Sequence, residues 1–282
     1  MLSAIQHIPP EEYHRAQALS NSGISKLLDC PAKFKAWQDG EREEQTEAML
    51  IGSAFHCLTL EPEEFSRRYH VKANPGSTRA GKEEKAAAEN NGKTILTRRQ
   101  YDEIRPLARG LFGHSYIAAL IKNPTSVKEA SIFWEEEIDA QVVPCKARLD
   151  LIFEKPGFGD IVLDLKSMRS AAPGEFAREI YFRGYHRQAW WYMRALAMAG
   201  RNPRAFLLAV ADKSAPEVSA LFQIEDRAIA RGGRECRRAL AAYAECAARG
   251  RWPGYPERIV AIDLPEWVYR KEDNNESEQT AY

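Results

Sequence analysis

Residues 141–166 read QVVPCKARLDLIFEKPGFGDIVLDLK, and the fold turns on this stretch. Its first half, 141–153, has strand composition, KPGFG at 155–159 is a turn signature, and 161–166 is a short apolar strand. Side chains alternate between the faces of a strand, so Asp164 and Lys166 share one face while Leu165 packs on the other. A hairpin centred on Gly157 sets Asp150, separated from Asp164 by thirteen residues, directly across from it. Two carboxylates so placed repel unless a cation lies between them, and all-oxygen donors suit Mg²⁺ or Mn²⁺. Such an ion can polarise a phosphodiester and acidify a water, with the Leu165 carbonyl as a further ligand. Lys166 then stands where it can orient the water or stabilise developing charge. The bare Asp-Leu-Lys triplet equally fits a strand that ends in an ordinary salt bridge, so the reading needs companions.

Working outward, 129–138 has strand composition and leads through a turn near Asp139 into the quoted stretch. Downstream, the pattern predicts one long helix over 173–199 stopped by Gly200, strands over 205–211 and 218–223, and a helix over 225–249. The polar tail 270–282 is expected to be disordered. Upstream, Thr97 is placed to cap an amphipathic helix reaching about residue 121, with a kink expected at Pro106. Residues 72–93, rich in Lys, Gly, Asn and Ala, read as a mobile loop holding a marginal helix, and 48–60 as a buried helix. A charged connector covers 41–47. Before it, Asn21 or Ser22 is placed to cap a helix that Pro31 interrupts, and a second short helix carries Phe34 and Trp37. The order predicts an α/β fold, a central mixed β-sheet flanked by helices with N-terminal helical additions. The domain expectation is one unit over 1–269, with a helical part over 1–47 and a core over 48–250.

With 282 residues, 44% hydrophobic and 28% charged, the chain can bury a substantial core. Its 40 Lys and Arg balance 40 Asp and Glu, so any polyanion surface must come from local clustering of charge. Candidates are Arg67 and Arg68, Arg79, Lys82, Lys85, Arg98 and Arg99, and Arg178, Arg183 and Arg187. Residues 1–15 have no apolar stretch and no run is long enough to span a bilayer, which predicts a cytoplasmic protein without membrane association. Five scattered cysteines, at 30, 57, 145, 236 and 246, do not form a disulfide framework.

The companions follow. Glu129 opens the 129–138 strand and offers another acid. His56 lies in the apolar helix, where a hydrogen-bonded core histidine is the competing reading. Gln188 and Tyr192, four apart on the downstream helix, share a face.

In this order, Gly52-Ser53-Ala54-Phe55-His56, Glu129, Asp150, Asp164-Leu165-Lys166 and Gln188-Ala189-Trp190-Trp191-Tyr192 resemble the motifs of RecB-like nucleases of the PD-(D/E)XK superfamily. The stretches LIGSAFHCLTLEPEEF, EASIFW, ARLDLIF and LDLKS are most similar to the RecE type of exonuclease (exonuclease VIII) of phages and prophages; the likeness runs from about residue 20 to about 200. The resemblance implies a PD-(D/E)XK nuclease core and a Mg²⁺-dependent exodeoxyribonuclease, with Mn²⁺ as a substitute. Such an enzyme degrades linear double-stranded DNA 5′ to 3′ in a bacterial host cell and leaves 3′ single strands for a RecT-like annealing protein. It also implies a ring-shaped homo-oligomer. Carried over residue by residue, His56, Glu129, Asp150, Asp164 and the Leu165 carbonyl hold the metal, Lys166 is catalytic, and Gln188 and Tyr192 are accessory. The opening LSNSGISKLLDCPAKF also resembles RecB-like nucleases that hold an iron–sulfur cluster, but Cys30 has no closely spaced C-terminal cysteines to join it, so no cluster is expected. A structure-specific or restriction-type endonuclease on the same core, and a catalytically silent DNA-binding subunit, are the competing readings.

Overall fold

A computed structural model describes residues 4–41, 46–264 and 269. The expected tail 270–282 lies outside the described residues, as does most of the 41–47 connector. A short strand β1 (Ile5–Gln6) precedes helices α1 (Pro10–Arg15), α2 (Asn21–Asp29), α3 (Pro31–Gln38), α4 (Glu47–Leu60) and α5 (Pro62–Arg68). Strand β2 (Tyr69–Val71), α6 (Arg79–Asn90), β3 (Thr94–Leu96), α7 (Arg98–Gly113) and α8 (Ser115–Lys122) follow. Then come β4 (Val127–Ile138), β5 (Gln141–Lys155) and β6 (Gly159–Met168). Helices α9 (Pro173–Phe182) and α10 (Tyr185–Met198) lead to β7 (Pro203–Asp212), β8 (Ser219–Gln223) and α11 (Asp226–Arg249).

The main sheet is mixed, in the order β1-β4-β5-β6-β7-β8. The β4–β5 and β5–β6 pairs are antiparallel hairpins, and α9 and α10 form the crossover that makes β7 parallel to β6. Helices cover both faces. One core joins the sheet to α2, α3, α10 and α11 through Ile24, Phe34, Ala189, Trp191 and Leu240. The other joins it to α4, α7 and α8 through Phe55, Leu60, Ile104, Leu111 and Ile117. No helix among the described residues is long and apolar enough to cross a membrane.

Four local expectations are corrected. Ser20 rather than Asn21 or Ser22 caps α2, its hydroxyl accepting from the Gly23 N–H. Residues 79–90 form a full helix, because Thr78 caps it and Glu84 accepts from the Ala73 and Asn74 N–H groups, tying the preceding loop down. Pro106 is accommodated inside α7; the break comes at His114, whose backbone is extended. The helix expected over 173–199 is two, divided at Gly184, whose φ of 70° lies in the left-handed region that glycine adopts without a Cβ clash.

Helices α10 and α11 approach closely at Gly232, where a Cβ would lie 2.1 Å from the His186 carbonyl oxygen. Gly232→Ala must therefore force the helices apart and is expected to cost about 1–3 kcal/mol. Gly52→Ala in α4 meets nothing within 4 Å and should instead add roughly 0.5–1 kcal/mol. Urea unfolding midpoints of the two variants check this: the first must fall and the second must not.

Candidate metal centre

The site grows out of a fork in the sheet. Strands β5 and β6 pair from Lys155 opposite Gly159 to Leu151 opposite Leu163, a register that brings Asp150 and Asp164 opposite each other one step further on. Beyond Leu151 and Leu163 no β5–β6 partners continue, although β5 stays paired to β4 and β6 to β7. The strands separate, and the backbone groups along the opening need other partners. Asp150 supplies one: its Oδ2 accepts from the Leu165 N–H at 2.7 Å. Trp191 Nε1 donates to the Lys146 carbonyl at 3.0 Å, while the Leu19 N–H donates to the Pro144 carbonyl and the Lys146 N–H to the Leu19 carbonyl, each at 2.8 Å. Asp150 therefore does not stand beside Asp164 as an ordinary cross-strand neighbour; it occupies the crotch of the fork.

The face alternation resets at the same level. On β5, Ala147 and Leu149 belong to the first core, Leu151 to the second and Ile152 to the first again. On β4, Val127 and Ala130 lie in the same core although three residues apart. Glu129, between them, has φ 48°, a left-handed conformation that costs a non-glycine residue energy and persists where surrounding contacts enforce it. Its carboxylate is paired with Arg148, whose Nε donates to Glu129 Oε2 at 2.7 Å and whose Nη1 donates to the Ile8 carbonyl at 2.9 Å.

This offset gathers three potential ligands. One ligand atom each from His56, Glu129 and Asp150 lie within 4.8 Å of one another, and His56 Nδ1 is 3.3 Å from Asp150 Oδ2. His56 arrives from α4, whose apolar residues bury against the sheet. Asp164 stands apart from the three. Its Oδ1 accepts from Gln188 Nε2 at 2.6 Å, and its Oδ2 forms an ion pair with Lys166. Lys166 Nζ also sits 4.8 Å from the centre of the Tyr185 ring. Tyr192 packs edge-on against Phe206 and hydrogen-bonds Gln188. The break at Gly184 thus starts the helix that lays Tyr185, Gln188, Trp191 and Tyr192 over the fork. Leu165 takes part through its N–H, donated to Asp150.

The acids and bases of the site shift one another strongly. Burial raises the Asp164 carboxyl to about 6 against the pull of Lys166, and the neighbouring Asp150 charge adds to the rise. Burial and Asp150 likewise push Glu129 up, with Arg148 opposing. Asp150 is lowered, because His56 and Lys166 outweigh its burial. Burial disfavours the charged His56 ring, yet Asp150 overrides this and raises it to about 9. Lys166 is held charged by Asp164 and Asp150 despite burial. One imidazole nitrogen with carboxylate oxygens is a donor set that fits Mn²⁺ as readily as Mg²⁺.

Residue-type patterns alone did not point to Arg148 or Tyr185. Arg148 alternates with Asp150 in ARLD, and Tyr185 precedes Gln188 and Tyr192 at helical spacing, so both signals were present. Of the basic residues expected to face a polyanion, Lys82 and Arg178 lack an ion pair among the described residues, and the others engage acids, Arg99 with Glu47 and Arg187 with Glu235 among them.

A family model described as a PDDEXK-like domain of unknown function (DUF3799) matches residues 20–265. The chain is similar in fold to a "Putative exonuclease" from Eubacterium rectale, with a TM-score of 0.58 and 13% identity, covering 94% of this chain and 98% of that one. Against SSO0001 the identity is 14% over 77% of this chain and 84% of that one, and the TM-score of 0.32 carries no argument. No curated protein matches.

A metal needs the lone pair of His56, and below about 9 that ring carries a proton. Mn²⁺ affinity is therefore expected to climb between pH 6.5 and 9, by up to about tenfold per unit, with proton release on binding. For the metal-free protein the sign is opposite. The raised His56 stabilises the fold fully below its ordinary value of 6.5, and that contribution is lost as pH rises through about 9. Titration calorimetry in buffers of different ionisation enthalpy measures the proton release; a pH-independent affinity that His56→Ala leaves unchanged would remove His56 from the ligand set.

Proposed function

The chain belongs to the PDDEXK-like family DUF3799, and on that premise we propose that it is a metal-dependent nuclease, an exodeoxyribonuclease of RecE type that degrades linear double-stranded DNA from the 5′ end. The observation that carries the reading is the gathering of His56, Glu129 and Asp150 in the fork, with the Asp164–Lys166 pair beside them. Lone salt bridges at strand ends do not come with a second acid held in a left-handed backbone conformation and a histidine delivered from another helix.

Each residue then has a task. His56, Glu129 and Asp150 would hold the ion, with Asp164 next to them. A bound Mg²⁺ or Mn²⁺ supplies Lewis acidity to a phosphodiester and lowers the pKa of water. Lys166, buried and held charged by Asp164 and Asp150, presents its ammonium where negative charge develops. Gln188 fixes Asp164, and through it the position of Lys166. Arg148 pairs with the Glu129 carboxylate. Tyr192 braces Gln188 from the core side.

The 5′-to-3′ polarity, the closed ring of copies, the RecT-like annealing partner, the phage or prophage origin and the location in a bacterial host's cytoplasm belong to the same proposal and rest on the motif resemblance to RecE-type enzymes. So does the assignment of 1–269 to one nuclease domain.

Asp150→Ala, Asp164→Ala and Lys166→Ala are each expected to lower cleavage of linear duplex DNA by at least about a hundredfold, with the fold retained. Gln188→Ala, which removes only the brace on Asp164, should cost less, roughly tenfold. Release of label from linear duplexes marked at either end, with and without a 5′ phosphate, gives polarity and end preference. Prompt cutting of a covalently closed circle would replace the exonuclease reading with an endonuclease on the same core. Full activity in Asp164→Ala would overturn the site assignment.

A further inference from the structure

Away from the fork, a cleft of about 690 Å³ opens between β2 and the start of α7. Its walls carry Tyr69, His70, Lys72, Lys93, Arg98 and Tyr101, and no aspartate or glutamate lines it. In a chain with as many acidic as basic residues, a lining of cations without acids is a local excess that attracts anions. The cations are not equally committed. His70 is bound to Glu84 at 2.8 Å, and Lys93 donates to the Ser66 carbonyl at 2.8 Å. The Lys72 ammonium has no ion pair or hydrogen bond among the described residues, while its backbone N–H donates to the Leu96 carbonyl at 2.9 Å. Arg98 has only an exposed i,i+4 contact with Asp102, at 3.1 Å, of a kind worth little and readily exchanged for a phosphate.

The aromatic side is organised as well. Phe65 stacks on Tyr69 with ring centres 5.1 Å apart and touches Tyr101 at 5.8 Å. Two guanidinium groups lie near the Tyr101 ring, Arg98 at 5.8 Å and Arg105 at 5.6 Å from its centre. Half-exposed rings beside cations offer π faces to bases and charges to the backbone, the combination that holds unpaired nucleic acid. A duplex hides its base faces in the stack, so a single strand is the ligand that exposed rings beside cations fit. Tyr69 follows directly on α5, which follows α4 with its His56. Burial raises the Tyr69 phenol to about 12.

We infer that this cleft is a binding site for an unpaired DNA strand, Lys72 and Arg98 contacting phosphates and Tyr69 and Tyr101 receiving bases. The inference rests on the nuclease reading for DNA as the strand's identity, but not for the binding itself.

The test is fluorescence anisotropy of a labelled oligothymidylate in EDTA, so that cleavage plays no part, with Lys72→Ala/Arg98→Ala against the unsubstituted chain. Both side chains lie outside the cores, and an unchanged urea midpoint verifies that the variant folds. The expected result is roughly tenfold weaker binding or more, together with a salt dependence whose slope is smaller by about 1.4, as the loss of two phosphate contacts on a single strand requires. Tyr101→Leu should weaken binding without changing the slope. Equal affinity and equal slope in the double variant would overturn the inference, as would competition by thymidine monophosphate as effective as that by the oligonucleotide. Cleavage of linear duplex with Mn²⁺, measured on the same preparation, separates the two failures. A chain that cuts DNA but binds the oligonucleotide independently of Lys72 and Arg98 loses the cleft alone. A chain that binds through them but cuts nothing loses the nuclease reading alone.

Discussion

Everything distinctive in this molecule depends on the parting of β5 and β6. Two strands that leave each other inside a protein expose N–H and C=O groups that water cannot reach, and each unpaired group would cost on the order of 1–3 kcal/mol. The chain closes the account with elements drawn from far along its length. Leu19 bonds one side of β5, Trp191 caps the Lys146 carbonyl, and the Asp150 carboxylate takes the Leu165 N–H. A carboxylate thereby becomes a structural part of the sheet while keeping capacity for other partners. The segment before α2 and helix α10 supply the groups that bond the open edge of β5.

The same parting concentrates charge. Glu129, Asp150 and Asp164 share a buried region with His56, Lys166 and Arg148, and the consequences are opposed. Burial drives Asp164 and Glu129 towards neutrality, while the pairing with Asp150 holds a proton on His56. A divalent ion entering this region would relieve the repulsion among the acids and take the place of the histidine proton. The strain at Glu129 fits that picture: the left-handed residue is held by Arg148 on one side and turned towards His56 and Asp150 on the other. The acid–lysine pair next door stays charged because each member supports the other.

Much of this was legible in the sequence, for identifiable reasons. The hairpin register followed from KPGFG, because a turn with fixed chemistry sets which residues face each other. The alternation of Asp164, Leu165 and Lys166 followed from strand geometry. The helix bearing His56 followed from an apolar run ended by Pro62. What escaped was long-range or conformational. The fork cannot be seen in a pattern of period two, since Asp150 leaves that pattern at the point where it matters. The φ of Glu129 falls where the β4–β5 pairing skips Glu129 and Asp150, an irregularity that its residue type does not signal. Gly184 sits inside a helical periodicity that continues on either side, so the division of α9 from α10 is invisible without the sheet that α10 must cover. Helix α6 looked weak because its support, the Glu84 carboxylate on the Ala73 and Asn74 N–H groups, runs from the helix to the loop before it.

The central claim is that the fork holds a divalent ion between His56, Glu129 and Asp150, beside Asp164. Anomalous diffraction at the manganese edge from crystals grown with Mn²⁺ tests it most directly. The account predicts a peak bonded to His56 Nδ1 and to the Glu129 and Asp150 carboxylates, and absent from Asp150→Ala crystals. A peak elsewhere, or none in the fork at saturating Mn²⁺, would contradict it.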